Sequence, residues 1–557
     1  MKGVLGDPLP PGDEHGVSVL LPTWEDTLGW ASRNPGLLAR LKAGYPRFFI
    51  PHVVNELATQ LLERIPAVVF DEQKATSECS TSCARPARLA ILLPFYRFAE
   101  QCWRFLLRAE MAEPAQVQIF SVDMNGSFKY GEATRPDGDY QSPDLYAVAY
   151  PGHLFPQAKS FWQHTGRGIS SRYATYWLEN AQFLQNNRLK SFSTHCGLPT
   201  KEADSAKVIL RKRIATLSST DTVHVRPENV YLYPTGMSSV CNIADKLQKL
   251  NTGRSGGCRV AVFGFLYVDT FKVLSRIYGF EYSLYGRSSP SEIETLESEL
   301  AIGCRIDALF TEFPGNPLLR SPDLKRLHEL SERYDFILAV DDTVGTFVNV
   351  ALFPFCDILC TSLTKMFSGA CNVMGGSLVL NPTSPRYERM QNALSAEYVD
   401  TYFPLDVLVM EANSRDFALR VYKASNNAET LAKMLRKHAT VSEVFYPKGD
   451  SSQHIYDSFM RPGGKYGFLL SATFVSPECA IAFHDALDVA KGPSLGTNFT
   501  LACAYTLLAH CSELGWAAKF GVVEHLVRIS VGVESEEWLM ETVRNALNAA
   551  ERQLGSA

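Results

Sequence analysis

Short apolar runs alternate with amphipathic segments between about residues 205 and 395. The amphipathic segments, such as "SPDLKRLHELSERY", repeat their apolar positions every three or four residues, which is typical of helices. Strands and helices in alternation favour a mostly parallel sheet that helices cover on both faces. The predicted strands are, in chain order, "NVYLYPTG", "RVAVFGF", "EYSLYG", "DALFTEFPG", "FILAVDDTVG", "DILCTSLTK" and "GGSLVLNP".

The regions on either side have different patterns. Residues 1–200 mix helix-like periods such as "FYRFAEQCWRFLLRAEM" with short apolar runs such as "LYAVAY" and suggest no chemistry. The last region begins with the helical pattern "LVMEANSRDFALRVYKASNNAETLAKMLRKH", continues with two strand-like segments and closes with a helix, which indicates a smaller α+β domain. We therefore predict an amino-terminal extension over 1–200, a large domain over 201–397 and a small domain over 398–557.

Charge and hydropathy exclude several classes of partner. The net charge of −5 over 557 residues gives no basic surface of the kind that binds nucleic acid. No apolar stretch approaches the roughly 18 to 20 residues that a membrane span needs, and the first residues lack a basic segment followed by an apolar core. We expect a cytosolic protein whose partners are small molecules.

The thirteen cysteines are scattered, many of them within apolar segments, which favours reduced core residues over a disulfide framework. Cys79 and Cys83 have the spacing of half a metal site, but no second pair follows at zinc-finger spacing. No bound metal is expected.

Polar residues stand where several predicted strands end, and the carboxyl ends of parallel strands are where ligands bind in such sheets. The turn at Gly236 and Met237 opens a helix whose first N–H groups could hold a phosphate, although a glycine there is also common in plain turns. Asp341 and Asp342 end an apolar strand, where a helix cap is the alternative interpretation. Lys365 follows the next strand, 24 residues after Asp341, and is flanked by Ser362 and Thr364.

Together these groups suggest one cofactor. Pyridoxal 5'-phosphate (PLP) needs a lysine for its Schiff base, an anion beside its pyridinium nitrogen and donors for its phosphate. A buried lysine loses its charge readily and becomes a nucleophile, which suits Lys365 to the first of these roles.

The segments "VYLYPTGMSSV", "VFGFLYVDT", "TEFPGNPLLRSPDL", "VDDTVGTF", "SLTKMFSG", "NVMGGSLVLNP" and "LVRISVGVE" resemble the cystathionine γ-synthase group of the Cys/Met-metabolism PLP enzymes. The early segment "LPTWEDTLGWASRNPGLLARLKAGYPRFF" resembles the amino-terminal extension of the fungal members. The resemblance implies PLP fold type I, an aspartate-aminotransferase-like large α/β domain with a smaller α+β domain, and a homodimer or homotetramer.

The resemblance also implies roles for single residues. Lys365 would carry the cofactor, and Tyr267, the second predicted catalytic residue, would stack on the cofactor ring. Arg528 would grip the substrate carboxylate, with Ser494 in the substrate loop. The predicted cofactor-binding residues are Gly236, Met237, Tyr267, Asn316, Asp341, Thr343, Ser362, Thr364 and Lys365.

Two departures from the family pattern stand out. Family members carry Tyr-x-Arg ahead of the first core helix, and our alignment places Phe192 and Thr194 there, which predicts an altered phosphate clamp and the loss of an acid–base tyrosine. The usual Asp-Asn-Thr is Asp-Asp-Thr at 341–343. An extra carboxylate near the ring could change which nucleophile is admitted.

The resemblance implies γ-replacement on an O-acyl-L-homoserine, expected to be O-acetyl-L-homoserine, through a vinylglycine ketimine. The nucleophile is either cysteine, giving cystathionine, or a carbon or nitrogen nucleophile of fungal specialised metabolism, and the sequence leaves this choice open. A PLP-dependent β- or γ-lyase and a non-catalytic binding protein remain as alternatives.

Overall fold

The computed structural model describes residues 3–45, 48–65, 88–109, 112–130, 145–185, 197–251 and 256–554. The chain forms two compact units. The larger unit comprises residues 1–45, 201–402 and 406–557, and the smaller one comprises 46–200 with 403–405. The sequence pattern predicted one extension over residues 1–200. In the structure, the first 45 of these residues group with the domains after residue 200.

A seven-stranded sheet forms the centre of the larger unit, and its strands coincide with the seven predicted ones. All of them are parallel except Gly376–Leu380, which is antiparallel to both of its neighbours. This arrangement confirms the predicted α/β class. The spatial order is Val230–Tyr233, Gly376–Leu380, Ile358–Thr361, Ile337–Asp341, Ala308–Glu312, Arg259–Phe263 and Glu281–Tyr285.

Helices connect these strands and cover the sheet. The helix Gly236–Leu250 begins with a capping box in which the Thr235 hydroxyl accepts from the N–H of Ser238. A single turn, Thr346–Asn349, follows the strand that ends at Asp341. The other helices of this part are Thr200–Ser218, Val268–Lys272 with a π-helical turn over Val273–Ile277, Pro290–Ala301, Leu324–Tyr334 and Tyr387–Ser395, with a 3₁₀ turn at Pro227–Asn229.

The carboxyl-terminal part of the same unit contains a five-stranded sheet. Its order is Val441–Phe445, Leu469–Phe474, Val527–Ser530, Leu501–Ala504 and Ala490–Lys491, antiparallel except for the last pair. The predicted long helix is two helices, Pro404–Asn413 and Phe417–Leu435. The remaining helices are Gln453–Phe459, Pro477–Ala486, Tyr505–His510, Leu514–Ala518 and Glu536–Glu551, with a 3₁₀ turn at Cys511–Glu513.

Residues 3–45 form an amino-terminal arm within the larger unit. The arm contains the paired strands Pro8–Leu9 and Ser18–Val19 and the helices Trp24–Ala31 and Pro35–Leu38. Hydrogen bonds to distant residues hold it. Among them, the N–H of Val17 donates to Cys371 O at 2.8 Å, that of Leu21 to Lys491 O at 2.9 Å, and that of Trp24 to Asp485 Oδ1 at 2.7 Å. The arm ends at Tyr45, which is buried.

The smaller unit is an antiparallel sheet with helices, packed around the fully buried Trp177. Its strands are, in spatial order, Arg88–Leu93, Leu145–Pro151, Gln118–Val122 and Phe128–Tyr130. Its helices are His52–Arg64, Tyr96–Leu106, Phe155–Thr165 and Ser171–Asn180, with 3₁₀ turns at Pro114–Gln116, Gly152–Leu154 and Gln182–Leu184.

The register of the central sheet brings the chemistry-bearing strand ends together. Glu312 lies opposite Asp341 in the parallel ladder, and Asp341 lies opposite Cys360, five residues before Lys365. Within the ranges described above, no helix is long and apolar enough to cross a membrane.

Candidate active site

Lys365 lies in the turn after the strand Ile358–Thr361, and its side chain is 8% exposed. Its Nζ donates to Tyr45 Oη at 2.8 Å and to Ser494 Oγ at 3.4 Å. The same Nζ lies 4.5 Å from the centroid of the Tyr45 ring, within the range of a cation–π contact. The ammonium group is therefore held between two hydroxyl groups from distant parts of the chain.

The loop that carries Ser494 lies directly against the Lys365 turn. Gly496 has a φ of +68°, and a Cβ there would lie 2.5 Å from the Met366 nitrogen and 2.9 Å from Lys365 Cβ. Gly369 and Thr497 form a bridge, and the N–H of Asn498 donates to Gly369 O at 2.7 Å. Only a residue without a side chain permits this approach, which places Ser494 beside the lysine.

Asp341 is the second group of the site. Its Oδ1 accepts from the N–H of Thr343 at 2.8 Å, and the Thr343 hydroxyl accepts from the N–H of Ser362 at 2.8 Å. Burial raises the pKa of Asp341, whereas the bonds from Thr343 and the positive charge of Lys365 lower it. Asp341, Thr343, Ser362 and Lys365 thus form one connected group.

The turn at Gly236 lies against the same group. A Cβ on Gly236 would meet Ser362 Cβ at 2.8 Å and Ser362 Oγ at 3.0 Å, so the absence of a side chain permits this contact. The N–H groups of Gly236 and Met237 stand in the first turn of a 15-residue helix, where intrahelical acceptors do not exist. Such a helix start attracts an anion through its N–H groups and its dipole.

Two polar side chains near Lys365, those of Thr364 and Asp342, already have hydrogen-bond partners within the protein. The Thr364 hydroxyl donates to Gly375 O at 3.2 Å and accepts from the N–H of Gly375 at 3.1 Å, so backbone groups already satisfy it. Its role at the cofactor phosphate stays a prediction. Asp342 is 1% exposed and accepts from the Thr361 hydroxyl. Burial raises the pKa of Asp342 to about 8.

Tyr267 and Asn316 are joined through a carboxylate that sequence reasoning missed. Glu312 Oε1 accepts from the N–H of Tyr267 at 2.5 Å, and its Oε2 accepts from the N–H of Asn316 at 3.1 Å. Burial and the neighbouring Asp341 raise the pKa of Glu312 to about 8, against the lowering effect of the two N–H donors. The available signal was a carboxylate at the end of an apolar strand, the same signal that identified Asp341.

Arg528 lies in the strand Val527–Ser530 and is 4% exposed. Its Nη1 donates to Asn316 Oδ1 at 3.2 Å, and its Nη2 donates to Pro493 O at 3.1 Å and Ser494 O at 2.9 Å. The guanidinium carbon lies 4.9 Å from the centroid of the Tyr505 ring. These contacts fix the plane of the guanidinium group and connect Arg528 to both Asn316 and the Ser494 loop.

Tyr45 is the second residue that sequence reasoning missed. The sequence Tyr45-Pro46-Arg47 has the Tyr-x-Arg spacing that we sought at Phe192 and Thr194. Residues 46–47, Phe192 and Thr194 lie outside the described ranges, as do Cys79 and Cys83. The contact between Tyr45 and Lys365 nevertheless places a second tyrosine at the site, where the alignment at Phe192 and Thr194 predicted the loss of one.

Comparison with known proteins finds relatives over nearly the whole chain. Residues 172–548 match the family described as Cys/Met metabolism PLP-dependent enzyme, and residues 54–170 match the family described as fungal trans-sulfuration enzyme, N-terminal domain. The chain is 34% identical to a cystathionine gamma-synthase from Neurospora crassa, over 99% of both chains. It is 37% identical to the cystathionine gamma-synthase-like enzyme iboG2 of Amanita muscaria, over 99% of this chain and 97% of that one.

Solved structures show the same fold. A cystathionine gamma synthase from Xanthomonas oryzae, in complex with cystathionine, superposes with a TM-score of 0.55 at 21% identity, over 65% of this chain and 90% of that one. This likeness confirms the expected fold type of the larger unit.

Proposed function

Because the chain belongs to the Cys/Met metabolism PLP-dependent enzymes, we propose that it catalyses γ-replacement on an O-acyl-L-homoserine, with O-acetyl-L-homoserine as the substrate. The reaction replaces the acyl group at Cγ with a nucleophile. The single observation that carries the proposal is the position of Lys365 Nζ, between Tyr45 Oη and Ser494 Oγ and within the electrostatic reach of Asp341.

The residues fit pyridoxal phosphate. Lys365 would hold its aldehyde, Asp341 would pair with its ring nitrogen, and the helix start at Gly236 and Met237, with Ser362, would hold its phosphate. The close approach of Ser362 to Gly236 supports this placement, because a helix start next to a hydroxyl suits a phosphate. When bound, the cofactor supplies an aldehyde for the substrate amine and an electron sink for the charge that develops at Cα.

Lys365 and Tyr45 are the groups that move protons in this proposal. γ-Replacement removes and returns protons at neighbouring substrate carbons. Two acid–base groups can carry out these transfers better than a single base. Lys365 Nζ and Tyr45 Oη lie within one hydrogen bond of each other, so either atom can take a proton that the other gives up. Their burial keeps water from competing for the same protons.

Arg528 is proposed to bind the substrate carboxylate, with Ser494 beside it. The planar guanidinium group offers paired donors that match a carboxylate. Its contacts with Asn316, Pro493 O and Ser494 O orient it before a substrate arrives, which lowers the entropy cost of binding. A homodimer or homotetramer belongs to the same proposal.

The near-visible absorption spectrum of the purified protein tests the proposal. We expect a cofactor band that shifts when O-acetyl-L-homoserine is added, and no such shift in Lys365→Ala. Cysteine and candidate carbon and nitrogen nucleophiles are then supplied side by side, and the products are identified by mass. A shift followed by a γ-substituted amino acid supports the proposal and names the nucleophile.

Other results would overturn it. Release of a 2-ketoacid and ammonia without any added nucleophile would identify a lyase instead. A protein that acquires no cofactor band, even with pyridoxal phosphate supplied, would leave a binding role.

A further inference from the structure

Glu312 is a buried carboxylate that the proton transfers proposed above do not use. It ends the strand Ala308–Glu312, is 7% exposed and lies opposite Asp341 in the parallel register. Burying a carboxylate costs free energy unless donors satisfy it, so its partners indicate what the side chain is for.

Its two oxygens bind two different backbone segments. Oε1 accepts from the N–H of Tyr267, where the short helix Val268–Lys272 begins, and Oε2 accepts from the N–H of Asn316, in the loop after the strand. Tyr267 is the residue proposed to stack on the cofactor ring. One side chain therefore sets the distance between the segment at the ring and the loop that carries Asn316.

The second segment leads on to the substrate. The Asn316 side chain accepts from Arg528 Nη1 at 3.2 Å, and Arg528 is the proposed carboxylate-binding group. Arg528 Nη2 donates to Ser494 O, and the Ser494 hydroxyl accepts from Lys365. A continuous series of hydrogen bonds thus runs from the backbone of Tyr267 through Glu312, Asn316 and Arg528 to Lys365.

We propose that Glu312 is a positioning residue that couples the cofactor pocket to the carboxylate-binding arginine, by fixing the backbone of Tyr267 with one oxygen and that of Asn316 with the other. The inference rests on the proposed function for Arg528 as the carboxylate-binding group and for Tyr267 as the residue that stacks on the cofactor ring. In this role Glu312 acts through the N–H groups of Tyr267 and Asn316, which its two oxygens bind.

The test replaces Glu312 by methionine, which keeps the length of the side chain and removes both strong acceptors. Two dissociation constants are measured spectroscopically: that of pyridoxal phosphate from the apoprotein and that of L-2-aminobutyrate, an amino acid without a γ leaving group, from the holoenzyme. We expect both to rise about tenfold, the usual effect of losing a buried hydrogen bond. Glu312→Gln retains one acceptor oxygen, so it should raise one constant and leave the other near its original value.

A double-mutant cycle separates coupling from general damage to the fold. In an Asn316→Ala background, where the link to Arg528 is already cut, Glu312→Met should still weaken pyridoxal phosphate but should no longer weaken L-2-aminobutyrate. Thr311→Val is the matched control, because Thr311 is the preceding residue and is also buried, and its hydroxyl donates to Phe263 O at 2.7 Å on the other face of the strand. It should leave both constants unchanged.

Unchanged constants in Glu312→Met, or the same loss of L-2-aminobutyrate affinity with and without Asn316, would overturn the inference. If Glu312→Met does not fold, Glu312→Gln and Asn316→Ala are used instead. The inference would then be overturned if each of these variants lost affinity for pyridoxal phosphate and for L-2-aminobutyrate to the same extent. None of these readouts depends on γ-replacement. The inference can therefore fail while the proposed function holds. It can also hold if the enzyme proves to be a lyase that uses no added nucleophile.

Discussion

Tyr45 Oη lies 2.8 Å from Lys365 Nζ, although 320 residues separate them in the chain. The contact makes the amino-terminal arm part of the candidate active site. It also gives the site a second proton-carrying group beside the lysine, and the first two predictions follow from it.

Tyr45→Phe should lower kcat while the protein still binds its cofactor. The phenyl ring keeps the packing against Lys365, but the hydroxyl that shares a proton with Nζ is lost. Loss of one acid–base group costs about 10² to 10⁴ in rate. Steady-state kinetics and the near-visible band are measured together, with Tyr446→Phe as the control, because the buried Tyr446 hydroxyl donates to Gly467 O outside the site. An unchanged kcat in Tyr45→Phe would remove Tyr45 from the proposed chemistry.

Mixing two inactive variants should not restore activity. Tyr45 and Lys365 meet within one chain, so an oligomer that combines Tyr45→Phe and Lys365→Ala chains has no site with both groups from a single chain. The two proteins are unfolded together, refolded together and assayed against each alone. Recovery toward a quarter of the original activity would show instead that the arm completes the site of a neighbouring chain.

Arg528→Lys should raise KM for the amino-acid substrate more than it lowers kcat. Lysine keeps the charge but lacks the planar pair of donors, and the loss is expected to be about 10- to 100-fold in KM. Arg461→Lys is the matched control, since the Arg461 guanidinium donates to the backbone oxygens Val350 O, Ser219 O and Leu217 O and not to the residues that contact Arg528. A kcat effect without a KM effect would contradict the assignment of Arg528 to the carboxylate.

Gly496→Ala should disable the site, whereas Gly463→Ala should cost only stability. Both glycines have a positive φ, of +68° and +76°, but a Cβ on Gly496 would collide with Met366 and Lys365, whereas nothing lies within 4 Å of one on Gly463. The control variant should lose about 1 kcal/mol of unfolding free energy from its backbone conformation alone. Cofactor content and activity of the two purified variants are compared. Equal activity would show that the Ser494 loop can retreat from Lys365 without consequence.

Asp342→Asn should change how the stability depends on pH. Burial raises the pKa of Asp342 to about 8 from an ordinary value of 3.8, so the folded protein retains this proton where the unfolded chain releases it. Its contribution to the free energy of unfolding is complete below about pH 4 and is lost as the pH rises toward 8. An amide has no such proton and still accepts from Thr361.

The difference between the free energy of unfolding of Asp342→Asn and that of the original protein should therefore increase as the pH rises from 5 to 8. The increase should be at most about 1.4 kcal/mol per pH unit. Urea unfolding at several pH values measures the difference, and the exposed Asp221→Asn serves as the control. Parallel curves for Asp342→Asn and the original protein would mean that Asp342 is ionised in the folded state.

The sequence alone determined the architecture and part of the site. Seven apolar runs predicted the seven strands of the central sheet, because burial on both faces leaves a local signature that needs no knowledge of distant contacts. The same logic identified Lys365 and Asp341, since a charged group that ends a buried strand is costly unless it has a function. The parallel register then brings such strand ends together, as it does for Glu312 and Asp341.

Only the tertiary structure decided which distant residues complete the site. Tyr45 carries no periodic signal, and its place against Lys365 results from the path of the arm along Cys371, Lys491 and Asp485. The partners of Glu312 and Thr364 are backbone groups of other segments, which no side-chain pattern encodes. Local periodicity follows from the geometry of single helices and strands, whereas these contacts follow from how segments far apart in the chain pack against one another.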